Sequence, residues 1–145
     1  MTLYVLDSDH LTLLDRNHPL VTRRSLAADD NPLDKLFTTV VSLEEQMRGR
    51  LAQVRKSTTN PQALVSAYKN LGRTFNLFDG LDILNYSIDA DDRFREFRRA
   101  GIRIGTQDLR IASITLSSGG VLVTRNRRDF EKIPTLSFQD WSVDA

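Results

Sequence analysis

The sequence predicts an α/β protein, a sandwich of helices around a central, mostly parallel sheet. Short apolar runs that do not alternate, such as Leu3-Tyr4-Val5-Leu6 and Val121-Leu122-Val123, are what strands buried on both faces show. Longer stretches with helical periodicity lie between such runs, and the two kinds of segment alternate along the chain. With 145 residues, 40% of them hydrophobic, the chain suffices for one core and leaves little room for a second, so a single domain over 1–145 is expected.

Taken in order, the 3–6 run ends in Asp7 and reads as a central parallel strand. Ser8 or Asp9 can cap the helix that follows, which carries Leu11 and Leu14, and Pro19 suits the first turn of another with Leu20, Val21 and Leu26. Asp29-Asp30-Asn31-Pro32 breaks that helix, and the β-branched and aromatic residues of 36–41 predict a second strand. Ser42 is expected to start a long helix in which Leu43, Met47, Leu51 and Val54 form one stripe. Asn60-Pro61 opens the next, through Leu64, Tyr68 and Leu71, and the two predict an antiparallel helical pair. A strand over 81–86 and an amphipathic helix over 89–99 stopped by Gly101 follow. A helix capped by Thr106 closes at Ser117-Ser118-Gly119-Gly120; the 121–123 strand and a last short strand over 136–138 complete the pattern.

Composition excludes several chemistries. The absence of cysteine removes a disulfide scaffold, a thiolate metal site and a cysteine nucleophile together. Only two histidines, His10 and His18, are present, which rules out a three-histidine zinc site. Twenty basic against 19 acidic residues exclude a polycation, and the modest charge density excludes a disordered tail. Sixteen of the basic residues are Arg, clustered at 48–56, 93–103 and 125–128. Arginine forks phosphate better than lysine does, although such clusters equally suit the solvated faces of amphipathic helices. No run approaches the length of a bilayer span, and Met1 leads directly into Thr-Leu-Tyr-Val-Leu without a signal stretch. A cytoplasmic protein without membrane contact is expected.

The informative regularity is where the carboxylates fall. Asp7 ends the first strand, Glu45 lies in the first turn after the second, Asp108 in the first turn of a later helix, and Asp129 just beyond the 121–123 strand. In a parallel α/β sheet these positions gather at one edge, beside the switch in strand order. Acids that close cannot all ionise without a positive partner, because like charges raise one another's pKa. A divalent cation is the simplest such partner, and hard oxygen ligands without Cys favour Mg²⁺ or Mn²⁺ over zinc.

Each acid also has a structural reading. Ser42-Leu43-Glu44-Glu45 has the form of a capping box, in which Glu45 returns a hydrogen bond to the helix start, and Glu44 competes with Glu45 for the crevice. Asp108 complements a helix dipole, yet its helix carries Leu109, Ile111, Ala112, Ile114 and Leu116 around most of its circumference. A carboxylate at the start of a buried helix needs a partner. Asp7 and Asp129 suit turn or cap positions, Asp9 an N-cap, and Asp79 and Asp82 turns. His10 reads as a packed or capping histidine before a ligand, and Phe94, Phe97 and Phe130 as core before base-stacking platforms.

Leu6-Asp7-Ser8-Asp9-His10-Leu11, Ser42-x-x-Glu45-x-x-x-Gly49, Asp108-Leu109-Arg110-Ile111-Ala112-Ser113 and Thr124-Arg125-Asn126-Arg127-Arg128-Asp129-Phe130, followed by Ile133-Pro134 and Trp141, together resemble the PIN-domain family, specifically its VapC-type toxin ribonucleases. The match runs over nearly the whole chain in the family's order, which is far more specific than any one piece. The resemblance implies a three-layer α/β/α sandwich that forms a homodimer, hydrolyses RNA with Mg²⁺ or Mn²⁺, and is blocked by a small antitoxin protein. By motif position, the family's catalytic and metal-holding acids fall on Asp7, Glu45, Asp108 and Asp129, with Thr124 and Asn126 as polar support. The Gly49 match favours Glu45 over Glu44. The chain departs from the family pattern at Asp9 (often Asn), Ser42 (usually Thr), Gln46 (usually apolar) and Ser113 (commonly Ala). Asp9 matters most, since it adds a fifth acid.

Two other functional readings compete. Asp7-Ser8-Asp9 has the Asp-x-Asp form of haloacid-dehalogenase-like phosphatases, but that motif normally continues to Thr or Val where Leu11 stands. A noncatalytic module, either receiver-like or a PIN fold that binds RNA or protein without cutting, is the other. A receiver wants a Lys after a late strand, and Thr124-Arg125-Asn126 supplies none; an inactive PIN domain usually loses acids, and this chain keeps a full set.

Overall fold

The computed structural model describes residues 1–144. Five parallel strands, β1 (Thr2–Leu6), β2 (Asp34–Thr39), β3 (Asp82–Leu84), β4 (Val121–Val123) and β5 (Phe138–Gln139), form one sheet in the order β3-β2-β1-β4-β5. Val5 pairs with Phe37 on one side and Leu122 on the other, so β1 is central. The pleat divides its residues between two cores. Val5 and Leu122 pack with Leu109, Ile111, Ala112 and Ile114 of α6 (Thr106–Ser118) and with Ala90 of α5 (Ile88–Arg99). Leu6 and Val123 face the other way, onto Leu11 of α1 (Ser8–Asp15), Val21 and Ala28 of α2 (Pro19–Asp30), Phe78 of α4 (Pro61–Asp79), and Trp141. This is the three-layer α/β/α arrangement. Among the described residues, no helix is long and apolar enough to cross a membrane.

Several boundaries differ from the sequence expectation, each for a local reason. Val40 and Val41 are not strand but the first turn of α3 (Val40–Lys56), because the buried Thr39 hydroxyl accepts from Ser42 N at 3.1 Å and ends β2 there. Ser42 is therefore inside the helix, and the capping box with Glu45 does not form. At α1 the cap is Asp7 itself, not Ser8 or Asp9. Thr106 does not cap α6, whose N-cap is Gly105; its hydroxyl accepts instead from Arg98, which also ties down the Ile102 and Ile104 carbonyls. β3 covers only three of the six residues expected over 81–86, and β5 lies at Phe138–Gln139 rather than over 136–138. A four-residue helix, α7 (Arg127–Phe130), is too short to show periodicity in the sequence. The α3–α4 pair is present and joined by the Arg50 guanidinium, whose Nε donates to Thr74 Oγ1 at 2.9 Å. Gly119 ends α6 with φ +72°, and any Cβ at Gly120 would stand 3.0 Å from Leu3 O, so this turn lies tight against β1.

Candidate active site

β1 and β4 are neighbours from which the chain departs in opposite directions across the sheet, which leaves a crevice beyond their carboxyl ends. Asp7 and Thr124 follow those two strands directly. Asp7 is held by its backbone N–H, which donates to Val123 O at 3.1 Å, and by Oδ1, which accepts from His10 N at 2.9 Å; it is 6% exposed. Thr124 is buried, donates its N–H to Gln139 O at 2.8 Å, and accepts from Asn126 N through Oγ1 at 3.0 Å. That bend places Asn126 at the cap of α7, where its Oδ1 accepts from Asp129 N.

Asn126 then joins two acids. Its Nδ2 donates to Asp129 Oδ2 at 3.0 Å and to Asp108 Oδ2 at 3.3 Å, linking the first turns of α7 and α6. Glu45 reaches the same crevice from α3, where its Oε1 accepts from Ser8 Oγ at 2.7 Å. A second clamp fixes α3 against α1: Gln46 Nε2 donates to Ser8 O and to Thr12 Oγ1, each at 3.2 Å. Glu44 points elsewhere; it is exposed and accepts from Arg48 and Gln107, both at 2.8 Å. Ser8 and Gln46 were not candidates in the sequence, since their roles exist only once α1 packs on α3.

Electrostatics tie the four acids into one site. Burial first, and then the charges of Glu45, Asp7 and Asp129, push the Asp108 carboxyl up from 3.8 to about 6, partly offset by the Asn126 hydrogen bond. Asp9 is not among those neighbours; it is exposed and lies 3.5 Å from Arg125. Lys132 Nζ lies 3.7 Å from Asp129 Oδ1. Among the described residues, no three acidic or histidine side chains already stand as a ligand cluster. Their chemistry nonetheless fits a hard divalent cation: all four offer carboxylate oxygens, and the charges of the other three act on Asp108 without a compensating positive charge. Asp79 and Asp82 lie at the other end of the sheet, where β3 begins. His10 is packed, fully buried between Asp7 and Trp141, and His18 caps α2.

Many arginines of the predicted clusters are engaged along their own helices: Arg48 with Glu44, Arg93 with Asp89 and Arg95 with Asp91. Others line a separate cleft that shares Thr124 with the site. Its volume is about 620 Å³, and its arginines are Arg24, Arg125 and Arg127.

No family model matches the chain. Over 142 residues, 97% of this chain and 98% of the relative, it is 28% identical to Ribonuclease VapC1 of Haemophilus influenzae strain R2866. Over 77 residues, 50% of this chain and 58% of the relative, it is 34% identical to the tRNA(fMet)-specific endonuclease VapC of Salmonella typhimurium. Its fold matches VapBC-1 from nontypeable Haemophilus influenzae with a TM-score of 0.75 at 23% identity, covering 98% of this chain and 100% of that one. The chain is thus similar to VapC ribonucleases over nearly its whole length and shares the fold seen in VapBC-1. A second solved structure, DNA-bound VapBC from Salmonella typhimurium, gives a TM-score of 0.76 at 24% identity over 97% of this chain and 99% of that one.

Proposed function

We propose that this chain is a PIN domain of the VapC type, a metal-dependent endoribonuclease and the toxin of a toxin–antitoxin pair, with Mg²⁺ or Mn²⁺ held by Asp7, Glu45, Asp108 and Asp129. The observation that carries this reading is the convergence of those acids from four separate elements, with Asp108 raised by burial and then by the charges of the other three. Support comes from relatives named ribonuclease or endonuclease VapC and from fold neighbours that include VapBC-1 and a toxin-antitoxin complex from Klebsiella pneumoniae. A divalent cation held there would stabilise the charge that develops on the phosphate oxygens and would make a water it binds more acidic and easier to deprotonate.

The chain's own residues supply placement. Asp7 presents its carboxylate from the end of β1 and Asp108 from the first turn of α6, Ser8 fixes the rotamer of Glu45, and Asn126 holds Asp108 and Asp129 in one orientation. Thr124 sets the bend that puts Asn126 there. Arg24, Arg125 and Arg127 bind the phosphate backbone along the adjoining cleft and offset repulsion between RNA and the acids. The partners are RNA, a small antitoxin protein and a second copy of the chain. The test is cleavage of a mixed panel of structured and single-stranded RNAs with Mg²⁺ or Mn²⁺ and with EDTA, beside Asp108→Asn. Cleavage that needs metal and vanishes in the variant is expected; cleavage surviving both controls would overturn the reading, and no cleavage of any RNA would favour a noncatalytic binding module.

A further inference from the structure

His10 has no exposure to solvent, and its two ring nitrogens face different partners. Nε2 accepts from the backbone N–H of Trp141 at 3.2 Å. An accepting Nε2 carries no proton, so the neutral ring holds its proton on Nδ1. Nδ1 is buried without any hydrogen-bond partner, and 3.4 Å from it stands Asp7 Oδ1. The opposite tautomer has no use for its proton: the acid near Nε2, Asp140, has its Oδ1 3.5 Å away and already accepts there from Ser142 N and Ser142 Oγ. Trp141 is itself fixed, 4% exposed, with its ring 5.1 Å from that of Tyr4 and its Nε1 donating to Gln139. A buried N–H left unpaired beside a carboxylate costs free energy that a small ring rotation recovers.

We propose that His10 is a positioning residue for Asp7: its Nδ1–H, fixed by the Trp141 N–H at Nε2, engages Asp7 Oδ1 and leaves Oδ2 to the acidic crevice. This rests on the reading of the four acids as a metal centre. Oδ1 is already the acceptor of the α1 cap, so both contacts fall on one oxygen, and among the described residues Oδ2 has no protein partner. The C-terminal segment around Trp141 thereby belongs to the support of the site, 131 residues away in sequence from the histidine it orients. Outer hydrogen-bond partners of metal-binding carboxylates typically alter metal affinity by about 10–100-fold.

Two substitutions separate this role from simple packing. His10→Asn keeps a donor where Nδ1 faces Asp7 but loses the acceptor for Trp141; His10→Gln does the reverse. Nitrogen-15 NMR of the metal-free wild type should show His10 with Nδ1 protonated and Nε2 bare. Mn²⁺ titration should show His10→Gln, which keeps the acceptor for Trp141 N, binding at least about tenfold more weakly than wild type, and His10→Asn within about threefold of it. A protonated Nε2, or folded His10→Gln that binds Mn²⁺ as wild type does, or equal losses in both variants, would overturn the role. Wild-type protein that binds no Mn²⁺ would instead overturn the metal-dependent reading and this role with it.

Discussion

Asn126 Nδ2 lies 3.3 Å from Asp108 Oδ2, a contact between a short helix after β4 and the first turn of the helix before it. The same nitrogen reaches Asp129 at 3.0 Å, so one amide sets the spacing of two acids. Asn126→Ala should reduce cleavage by about 10–100-fold through lost placement. It should also cost about 1 kcal/mol of stability, because Asp129 N loses its cap. Steady-state kinetics beside a thermal melt check both.

Asp108 makes stability depend on pH in a defined direction. Its folded-state pKa, about 6, lies above the 3.8 of the free carboxyl. The folded protein therefore holds the proton more tightly between those values, and stability falls as pH rises through that window. Above it the penalty is constant. Asp108→Asn should therefore stabilise the metal-free protein at pH 7 to 8 by about 1 kcal/mol after discounting a group that is not fully buried, and so raise its melting temperature. The gain should disappear near pH 3.5. Calorimetry in EDTA at the two pH values is the check, and a variant less stable than wild type at neutral pH would contradict it.

Glu44 and Glu45 are adjacent and face different surroundings. Glu45 accepts from Ser8 in the crevice, whereas Glu44 pairs with Arg48 and Gln107 on the surface. Glu45→Gln should lower cleavage at least about tenfold, and Ser8→Ala should follow in the same direction. Glu44→Gln should stay within about twofold of wild type, since exposed ion pairs contribute little. Equal effects at the two glutamates, in one assay at matched folding, would show that Glu45 has no special place.

Thr39 carries the boundary between β2 and α3. Thr39→Ala should destabilise the protein by about 1–2 kcal/mol in chemical denaturation, as a lost buried N-cap does. Ser42→Ala should cost less, because Ser42 lies within the helix and does not cap it.

Much of this was legible in the sequence where one residue type has one physical use. Apolar runs without alternation gave the central strands, because both faces of β1 and β4 are covered. The positions of Asp7, Asp108 and Asp129 followed from strand ends and helix starts. The Thr39 cap was hidden because Val40-Val41 continues the β-branched run through a helix start. Asp7 as its own helix cap was hidden by Ser8 and Asp9, equally good capping types one and two positions on. The links from Ser8 to Glu45, from Gln46 to α1 and from Trp141 to His10 join residues 37, 38 and 131 positions apart. No local pattern encodes such contacts, because they arise only from the packing of helices across the sheet.

The most direct test of the central claim is the anomalous scattering of a crystal of the protein soaked in Mn²⁺. A peak bounded by Asp7 and Asp108, with Glu45 and Asp129 beside it and absent in Asp108→Asn, is the predicted result. Mn²⁺ bound only elsewhere, or no site at all in wild-type protein that cleaves RNA, would contradict the assignment of these four acids as the metal centre.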